Sequence, residues 1–400
     1  MKKIILISML MLLGLPLSAR ELGRIRVLTY NIWGVFVAPN RKARAEQIGK
    51  EIARLNPDII GFQEAFNKEH RQLILEGLEA SGWGKPYQVY FKKWYGTGVW
   101  MVSRYPIEEK KIYHYPVNGY PLNSDFYARK GVGYIRVRTP WGPLDFFNTH
   151  LIARYRPEYI NGKLIEEDRL KTDRLLQAEA ISRFIQAVNQ ASGVRSLVAV
   201  GDFNSPPILL EYQLLVRLSG LRNVVDEVGL KDCPASKKIC QPELRIDHIF
   251  YQNYPASEGF YLKPLWAKVV LNQPVKTRKG KMLLSDHKGL MVEFLVLRVD
   301  DPGTKPGDRN QAEILLLEKE KKPDLAMIEK ELNSGWAYPQ ELDWKLFCLL
   351  TLEKLNQNQT RWNKIPSSCA KIITSPAKKE KLNEQDIRRF NKALKILHKG

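Results

Sequence analysis

The stretch Ser196-Leu197-Val198-Ala199-Val200-Gly201-Asp202-Phe203-Asn204-Ser205-Pro206-Pro207 limits the folds open to this chain more than any other. An apolar run of strand length reads as a buried strand. It ends abruptly in Asp202 and Asn204, two positions apart, which point the same way while the backbone stays extended. Such a strand delivers one carboxylate and one amide to a sheet edge. Taken alone, Asp and Asn before Pro-Pro are also what closes a simple turn. Other strand ends of the same kind change that balance.

Leu28-Thr29-Tyr30 leads to Asn31, Ile59-Ile60-Gly61-Phe62-Gln63 to Glu64, and Phe146-Phe147-Asn148-Thr149 to His150. Arg245-Ile246-Asp247 and Leu284-Ser285-Asp286-His287 follow later. Strand signals recur over residues 25–30, 59–63, 87–91, 98–103, 132–138, 144–150, 196–201, 245–251 and 289–297. Ala45, Ile48, Ile52 and Leu55 share one helix face and stop before Pro57; Ala178, Ile181, Ile185 and Val188 mark a second helix within 168–190. Many strands with few, well-separated helices predict an α/β protein of two packed sheets flanked by helices, not a regularly alternating doubly wound sheet.

Lys2-Lys3, the apolar stretch from Ile4 to Leu17, and Ser18-Ala19 have the three parts of a secretory signal peptide, with cleavage expected after Ala19. The strand-rich domain is then expected over residues 20–299 of an exported protein, periplasmic or secreted. A linker is expected over 300–310, where Asp301-Pro302-Gly303 shifts the composition, and a small helical extension of unassigned role over 311–400. No segment after the signal peptide approaches the length of a membrane span. The net charge of +20, from 63 Lys and Arg against 43 Asp and Glu, favours a phosphate-bearing polymer or an anionic membrane surface as partner. In an oxidising compartment Cys233 and Cys240 are expected to pair locally, and no Cys-x-x-Cys spacing supports a zinc site.

The order Asn31, Gln63-Glu64, Thr149-His150, Gly201-Asp202-Phe203-Asn204, Arg245-Ile246-Asp247 and Ser285-Asp286-His287 resembles the endonuclease/exonuclease/phosphatase superfamily of metal-dependent phosphoester hydrolases, over residues 24–297. The resemblance implies a deoxyribonuclease-like four-layered α/β sandwich whose catalytic groups meet at one rim. It implies Mg²⁺ as cofactor, with Mn²⁺ as the alternative, held by Glu64 with Asn31 and Asp286 beside it; a hard cation prefers carboxylate oxygen. His287 is implied as general base, with Asp247 fixing its tautomer. Asp202 and Asn204 are implied to orient the attacking water or the phosphate, and His150 to meet the phosphate and stabilise the transition state or leaving oxygen. The acid and base roles of His150, Asp202 and His287 stay open at this stage.

Within that superfamily, Ser103-Arg104-Tyr105-Pro106-Ile107, Asn118-Gly119-Tyr120-Pro121 and Lys130-Gly131 resemble the neutral sphingomyelinases. The run from Thr149 to Glu179 is similar to their eukaryotic type, although Ile152 and Arg154 depart from it. This implies hydrolysis of sphingomyelin to ceramide and phosphocholine at a membrane surface, with Lys130 as a second clamp on the substrate phosphate. Trp94-Tyr95 beside Lys92-Lys93, and Tyr254, Phe260, Tyr261 and Trp266 near the basic run 276–281, suit an interfacial surface. The alternatives are a secreted deoxyribonuclease-like endonuclease acting on nucleic acid with the same site and charge, or another phospholipid or phosphoinositide phosphohydrolase.

Overall fold

The structure is a computed structural model that describes residues 18–300, except 93–95, 120–123, 155–157, 161–162, 166–169, 193–195, 234–240, 242–244, 254–258 and 278–279. Residues 1–17 of the expected signal peptide, and 301–400 of the expected linker and tail, lie outside the described residues. So do Trp94, Tyr95, Tyr254 and Cys240.

Each of two six-stranded sheets is built around one parallel strand pair. In the first, β1 (Ser18–Asn31) and β2 (Ile59–Gln63) run parallel because α1 (Arg41–Leu55) crosses between them, and α2 (Lys68–Ala80) follows β2. Antiparallel strands β3 (Tyr87–Tyr90) and β4 (Trp100–Ser103) extend this sheet on one side. The second sheet begins with β5 (Ile107–His114), followed by the short helix α3 (Ser124–Ala128), β6 (Gly131–Thr139) and β7 (Gly142–His150). A small hairpin, β8 (Glu158–Ile160) with β9 (Lys163–Ile165), precedes the long helix α4 (Lys171–Ser192). That helix returns the chain to β10 (Leu197–Asp202), parallel to β7. Helix α5 (Leu210–Ser219), β11 (Arg222–Asn223), α6 (Val224–Val228) and β12 (Asp247–Gln252) complete the sheet in the order β11-β12-β10-β7-β6-β5. The chain then rejoins the first sheet through β13 (Tyr261–Val270), makes the hairpin β14 (Val275–Thr277) with β15 (Gly280–Met282), and ends in β16 (Gly289–Asp300) beside β1, giving the order β13-β16-β1-β2-β4-β3.

Side chains alternate across each strand, so each sheet has an inner and an outer face. Inner residues Ile25, Val27, Ile59, Phe146, Val198, Val200, Ile249 and Phe294 form a core between the sheets. Outer residues Leu28, Ile60 and Phe62 share a second core with Ala45, Ile48 and Ile74 of α1 and α2. Phe147, Ala199 and Phe250 share a third with Ile181, Ile185 and Leu215 of α4 and α5. Burial on both faces explains the unbroken apolar run of β10. The expected four layers are present.

Several elements lacked a clear sequence signal, among them β5, β13 and α2. β5 reads Ile-Glu-Glu-Lys-Lys-Ile-Tyr-His, a charged edge strand with no fully buried position. β13 contains Pro264, and its register with β16 shifts between Pro264 and Trp266; proline is tolerated at an irregular edge but argues against a strand when read in sequence. Helix α2 buries only Ile74, Leu75 and Leu78 among its large apolar side chains. The expected interfacial role of Phe260 is corrected: it is 3% exposed and belongs to the inter-sheet core. Trp266 packs against the α1/α2 core, and its indole N–H faces Glu293. Cys233 is disulfide-bonded.

Candidate active site

Because both parallel pairs run the same way within the sandwich, their C-terminal ends deliver polar groups to one rim. Asn31 is the register partner of Gln63, one residue before Glu64. In the other sheet Asp202 lies opposite His150 on one side and Asp247 on the other. The sheets are stitched together just below the rim. Gln63 Nε2 donates to Asn148 Oδ1 at 2.7 Å and to Thr29 Oγ1 at 3.0 Å, while Asn148 Nδ2 donates to Phe62 O and Trp100 O. Above this layer Asn31 Nδ2 donates to Glu64 Oε1 at 3.2 Å and to Asp202 Oδ2 at 3.0 Å, so one amide joins the two sheets' carboxylates. Ser285 Oγ donates to Asn31 O at 2.7 Å and accepts from His287 N, which draws the Asp286-His287 loop over the same rim.

Trp33, Glu64 and Asn204 all have left-handed backbone, with φ of 51°, 56° and 49°. Such conformations in non-glycine residues persist only where the surroundings enforce them, and they gather at functional sites. The loop after Asn31 lies directly on Glu64: a Cβ at Gly34 would meet Glu64 O at 2.1 Å. Burial raises the Glu64 carboxyl above its usual range, opposed by Lys130 and by the Asn31 hydrogen bond. Glu64 Oε2 is buried and has no partner. An unpartnered buried carboxylate oxygen beside a second oxygen-rich chain end suits a hard cation.

His287 sits between two carboxylates. Its Nδ1 is 2.9 Å from Asp247 Oδ2, and its Nε2 is 3.6 Å from Asp202 Oδ2. Burial alone would lower its basicity, but Asp247 and Asp202 outweigh burial and raise it to about 10. Burial pushes Asp202 the opposite way from an ordinary aspartate, up to about 7. Ligand atoms of Asp202, Asp247 and His287 lie within 4.8 Å of one another, close enough to hold an ion. Glu64, Asn31 and Asp286 are arranged differently: Glu64 and Asn31 touch, whereas Asp286 is exposed, its Oδ1 accepting from Ser285 Oγ.

His150 is buried, and its Nε2 lies 3.0 Å from Lys130 Nζ and 3.3 Å from Asp202 Oδ2. Burial, then Lys130 and His287, holds this imidazole well below its usual range, so it is neutral. A lysine ammonium has only donors, so Nε2 accepts and the ring proton sits on Nδ1, which is buried without a partner. Lys130 is 1% exposed, and its three protons meet three acceptors: Asp125 Oδ1 at 2.7 Å, Leu151 O at 2.8 Å and His150 Nε2. In this geometry all three Lys130 protons are committed within the protein, so the expected direct contact with a phosphate oxygen would require one of them to be given up. Asn204 Nδ2 donates to the same Leu151 O, and its N–H to Asp202 Oδ1.

All nine residues singled out in the sequence thus lie at or immediately behind one rim. Asp125 was not among them; it accepts from both Lys130 and Ala153 N, but it sits in the five-residue helix α3 with no strand-end signature. Arg44 was also missed. Its guanidinium, 2% exposed on α1, donates to the carbonyls of Ile32, Trp33, Pro39 and Leu284, tying the Asn31 loop to the His287 loop.

Residues 28–287 match the Endonuclease/Exonuclease/phosphatase family. The chain is 29% identical over 296 residues to a Drosophila melanogaster protein whose name places it among the neutral sphingomyelinases, covering 70% of this chain and 63% of that protein. It is 31% identical over 208 residues to inositol phosphosphingolipids phospholipase C of Schizosaccharomyces pombe, covering 50% of this chain and 45% of that one. Against human sphingomyelin phosphodiesterase 2 the identity is 24% over 327 residues, covering 76% of this chain and 73% of the relative. The fold is similar to that of SmcL, with a TM-score of 0.50 at 19% identity, covering 68% of this chain and 99% of that one. It is similar also to that of beta toxin from Staphylococcus aureus, with a TM-score of 0.50 at 18% identity, covering 67% and 99%.

Proposed function

This chain belongs to the endonuclease/exonuclease/phosphatase family, and from that membership we propose that it is a metal-dependent phosphodiesterase that cleaves sphingomyelin to ceramide and phosphocholine. The observation that carries the reading is the rim itself: a buried carboxylate oxygen of Glu64 without a partner, an imidazole held between Asp247 and Asp202, and a neutral His150 backed by Lys130. Two relatives named for sphingomyelin and one named for inositol phosphosphingolipids support a ceramide phosphodiester as substrate.

Glu64, with Asn31 and Asp286 at hand, would hold the cation, and Mg²⁺ with its oxygen preference fits that donor set. Bound there, the ion supplies neutralisation of phosphoryl charge. His287 keeps its Nδ1–H on Asp247 Oδ2 and turns Nε2 to the attacking water. Raised to about 10, the ring holds a proton on Nε2 at neutral pH, so it takes the water's proton only after that one has been released. Asp202, anchored by Asn31 Nδ2, faces the same Nε2 and orients that water. His150 donates from its ring towards the phosphate or the departing oxygen, and Lys130 supplies the fixed positive charge behind it. The two histidines divide the work by environment: carboxylates make His287 strongly basic, while burial and Lys130 keep His150 neutral. The sequence of the first nineteen residues supports export, testable by N-terminal sequencing of the protein recovered outside the cytoplasm.

Purified protein is to be incubated in parallel with vesicles of sphingomyelin, inositol phosphorylceramide and phosphatidylcholine, and with plasmid DNA, each with Mg²⁺ or excess chelator. Ceramide and phosphocholine released only with Mg²⁺ is the expected result. Headgroup released faster from the inositol lipid would reassign the substrate within the ceramide phosphodiesters. Plasmid nicking with intact lipids would replace the proposal with a nuclease.

A further inference from the structure

The apolar side chains that the fold leaves in solvent are not scattered. Tyr87 apart, the exposed large apolar side chains among the described residues are Phe36, Val37, Phe126, Tyr127, Ile208 and Leu283. Each follows or precedes a rim residue within a few positions: Phe36 and Val37 after Asn31, Phe126 and Tyr127 after Asp125, Ile208 after Asn204, and Leu283 before Asp286.

Phe36 and Val37 are the most exposed, at 86% and 87%, and they occupy the two central positions of a tight turn closed by Ala38 N donating to Val35 O at 3.1 Å. Turn centres favour Gly, Pro, Asn and Asp, which water solvates well. Two bulky hydrocarbons there gain nothing from the folded protein. The turn is nevertheless firmly mounted. Ala38 is buried, and Arg44 holds Trp33 O and Pro39 O on either side of it. The same guanidinium holds Leu284 O, so the turn and the Leu283 loop are braced as one unit beside the site. Cations surround these tips: the Arg41 guanidinium lies 5.1 Å above the Phe36 ring, and Lys42, Lys281 and Lys288 are near in sequence and at least partly exposed.

We propose that the Val35–Ala38 turn and the Leu283 loop form a membrane-docking edge, whose apolar tips enter the interfacial layer of a phospholipid bilayer while flanking Arg and Lys meet anionic headgroups. The net charge of +20 complements such a surface. Separate apolar tips rimmed by cations suit shallow insertion into a fluid interface better than they suit a protein partner, which calls for one continuous patch. Both loops are continuous with rim residues, Asn31 before one and Asp286-His287 after the other, so docking through them brings the rim towards the lipid headgroups. This inference rests on the lipid substrate proposed above, and its test separates the two.

The full chain, Phe36→Ser/Val37→Ser and Leu283→Ser variants, and Tyr87→Ser as control are to be floated with phosphatidylcholine vesicles with and without phosphatidylserine, all free of sphingolipid. Each is also assayed on a short-chain sphingomyelin below its micelle concentration. The docking edge predicts that the Phe36/Val37 variant loses vesicle binding by at least about tenfold, from the transfer of two apolar side chains, with an unchanged rate on the monomeric substrate. Tyr87→Ser should bind as the parent does. Unchanged vesicle binding of the Phe36/Val37 variant, or failure of the parent to bind vesicles while it binds DNA, overturns the docking edge whatever the substrate. Vesicle binding that depends on Phe36 and Val37 without any sphingomyelin hydrolysis overturns the substrate and leaves the docking edge standing.

Discussion

Lys130 Nζ lies 3.0 Å from His150 Nε2 with both side chains buried, and the other two ammonium protons are held by Asp125 and Leu151 O. A charge so placed acts on the imidazole, and would reach substrate oxygen only by giving up one of these partners. Lys130→Met is therefore expected to lower kcat by about 10²-fold, the scale of one preorganised electrostatic group, with KM nearly unchanged. Lys130→Arg should not restore it, since a planar fork cannot meet three acceptors grouped around a tetrahedral ammonium. The loss should appear equally on vesicles and on a monomeric short-chain substrate. A variant with normal kcat and raised KM would return Lys130 to the role of phosphate clamp.

Glu64 Oε2 is the buried oxygen that a cation would satisfy. Glu64→Gln keeps the shape and the Asn31 contact while removing the charge that burial already disfavours. Without metal the variant should melt at or above the temperature of the parent. With Mg²⁺ at 100 times its Kd the parent should gain about 2.7 kcal/mol of stability, and the variant little of it. An equal Mg²⁺-induced rise in Tm for both proteins would move the ion elsewhere, with Asp202, Asp247 and His287 as the first place to look.

How much of this was legible depended on how each residue's neighbours are set. Asn31, Glu64, His150 and Asp202 follow apolar runs, and a parallel strand buried on both faces announces its own end, so strand ends and site were read together. Lys130 was found but its orientation was not, because what turns it inward is Asp125, five positions away on a short helix without a hydrophobic period. Arg44 lies one turn before Ile48 on the buried face of α1, where a charge read in sequence merely interrupts the apolar pattern, and only the folded loops bring four carbonyls to it. Edge strands β5 and β13 were missed because charge and proline, which protect an edge from pairing, also erase its signature.

His248 follows Asp247 on β12 but points away from the rim, fully buried. Its Nδ1 accepts from Asn223 Nδ2 at 3.0 Å and its Nε2–H donates to Ser205 O at 2.9 Å, an arrangement that only the neutral ring satisfies. Burial, with Arg245 adding to it, pushes the folded-state value down to about 3. A histidine depressed in the folded state contributes stability that is complete above its unfolded value of about 6.5 and is lost as pH falls towards the folded value, by about 1.4 kcal/mol per pH unit. Urea unfolding at pH 7.0, 6.0 and 5.0 should show that slope in the parent beyond the slope of His248→Gln. Parallel pH dependences in the two proteins would mean that His248 is not the group responsible.

Gly61 marks a close approach of the two sheets beneath the site. A Cβ there would meet Val200 Cγ2 at 2.4 Å and Asn148 Cγ at 3.0 Å, so Gly61→Ala must part the sheets or displace the Asn148 amide that accepts from Gln63. Overpacking of this kind is expected to destabilise by about 1–3 kcal/mol, and the tilt it forces on Gln63 and Asn148 should reach Glu64, the residue after Gln63, and His150, two positions beyond Asn148. Activity should therefore fall by more than the folded fraction alone explains. Val200→Ala removes the atom struck first, at its own cavity cost. If the collision is the cause, the double variant Gly61→Ala/Val200→Ala should be more stable than the sum of the single changes by roughly 1 kcal/mol or more, since residues in contact couple on that scale. Simple additivity would show that the two sheets do not meet at Gly61 in the way the strand ends require.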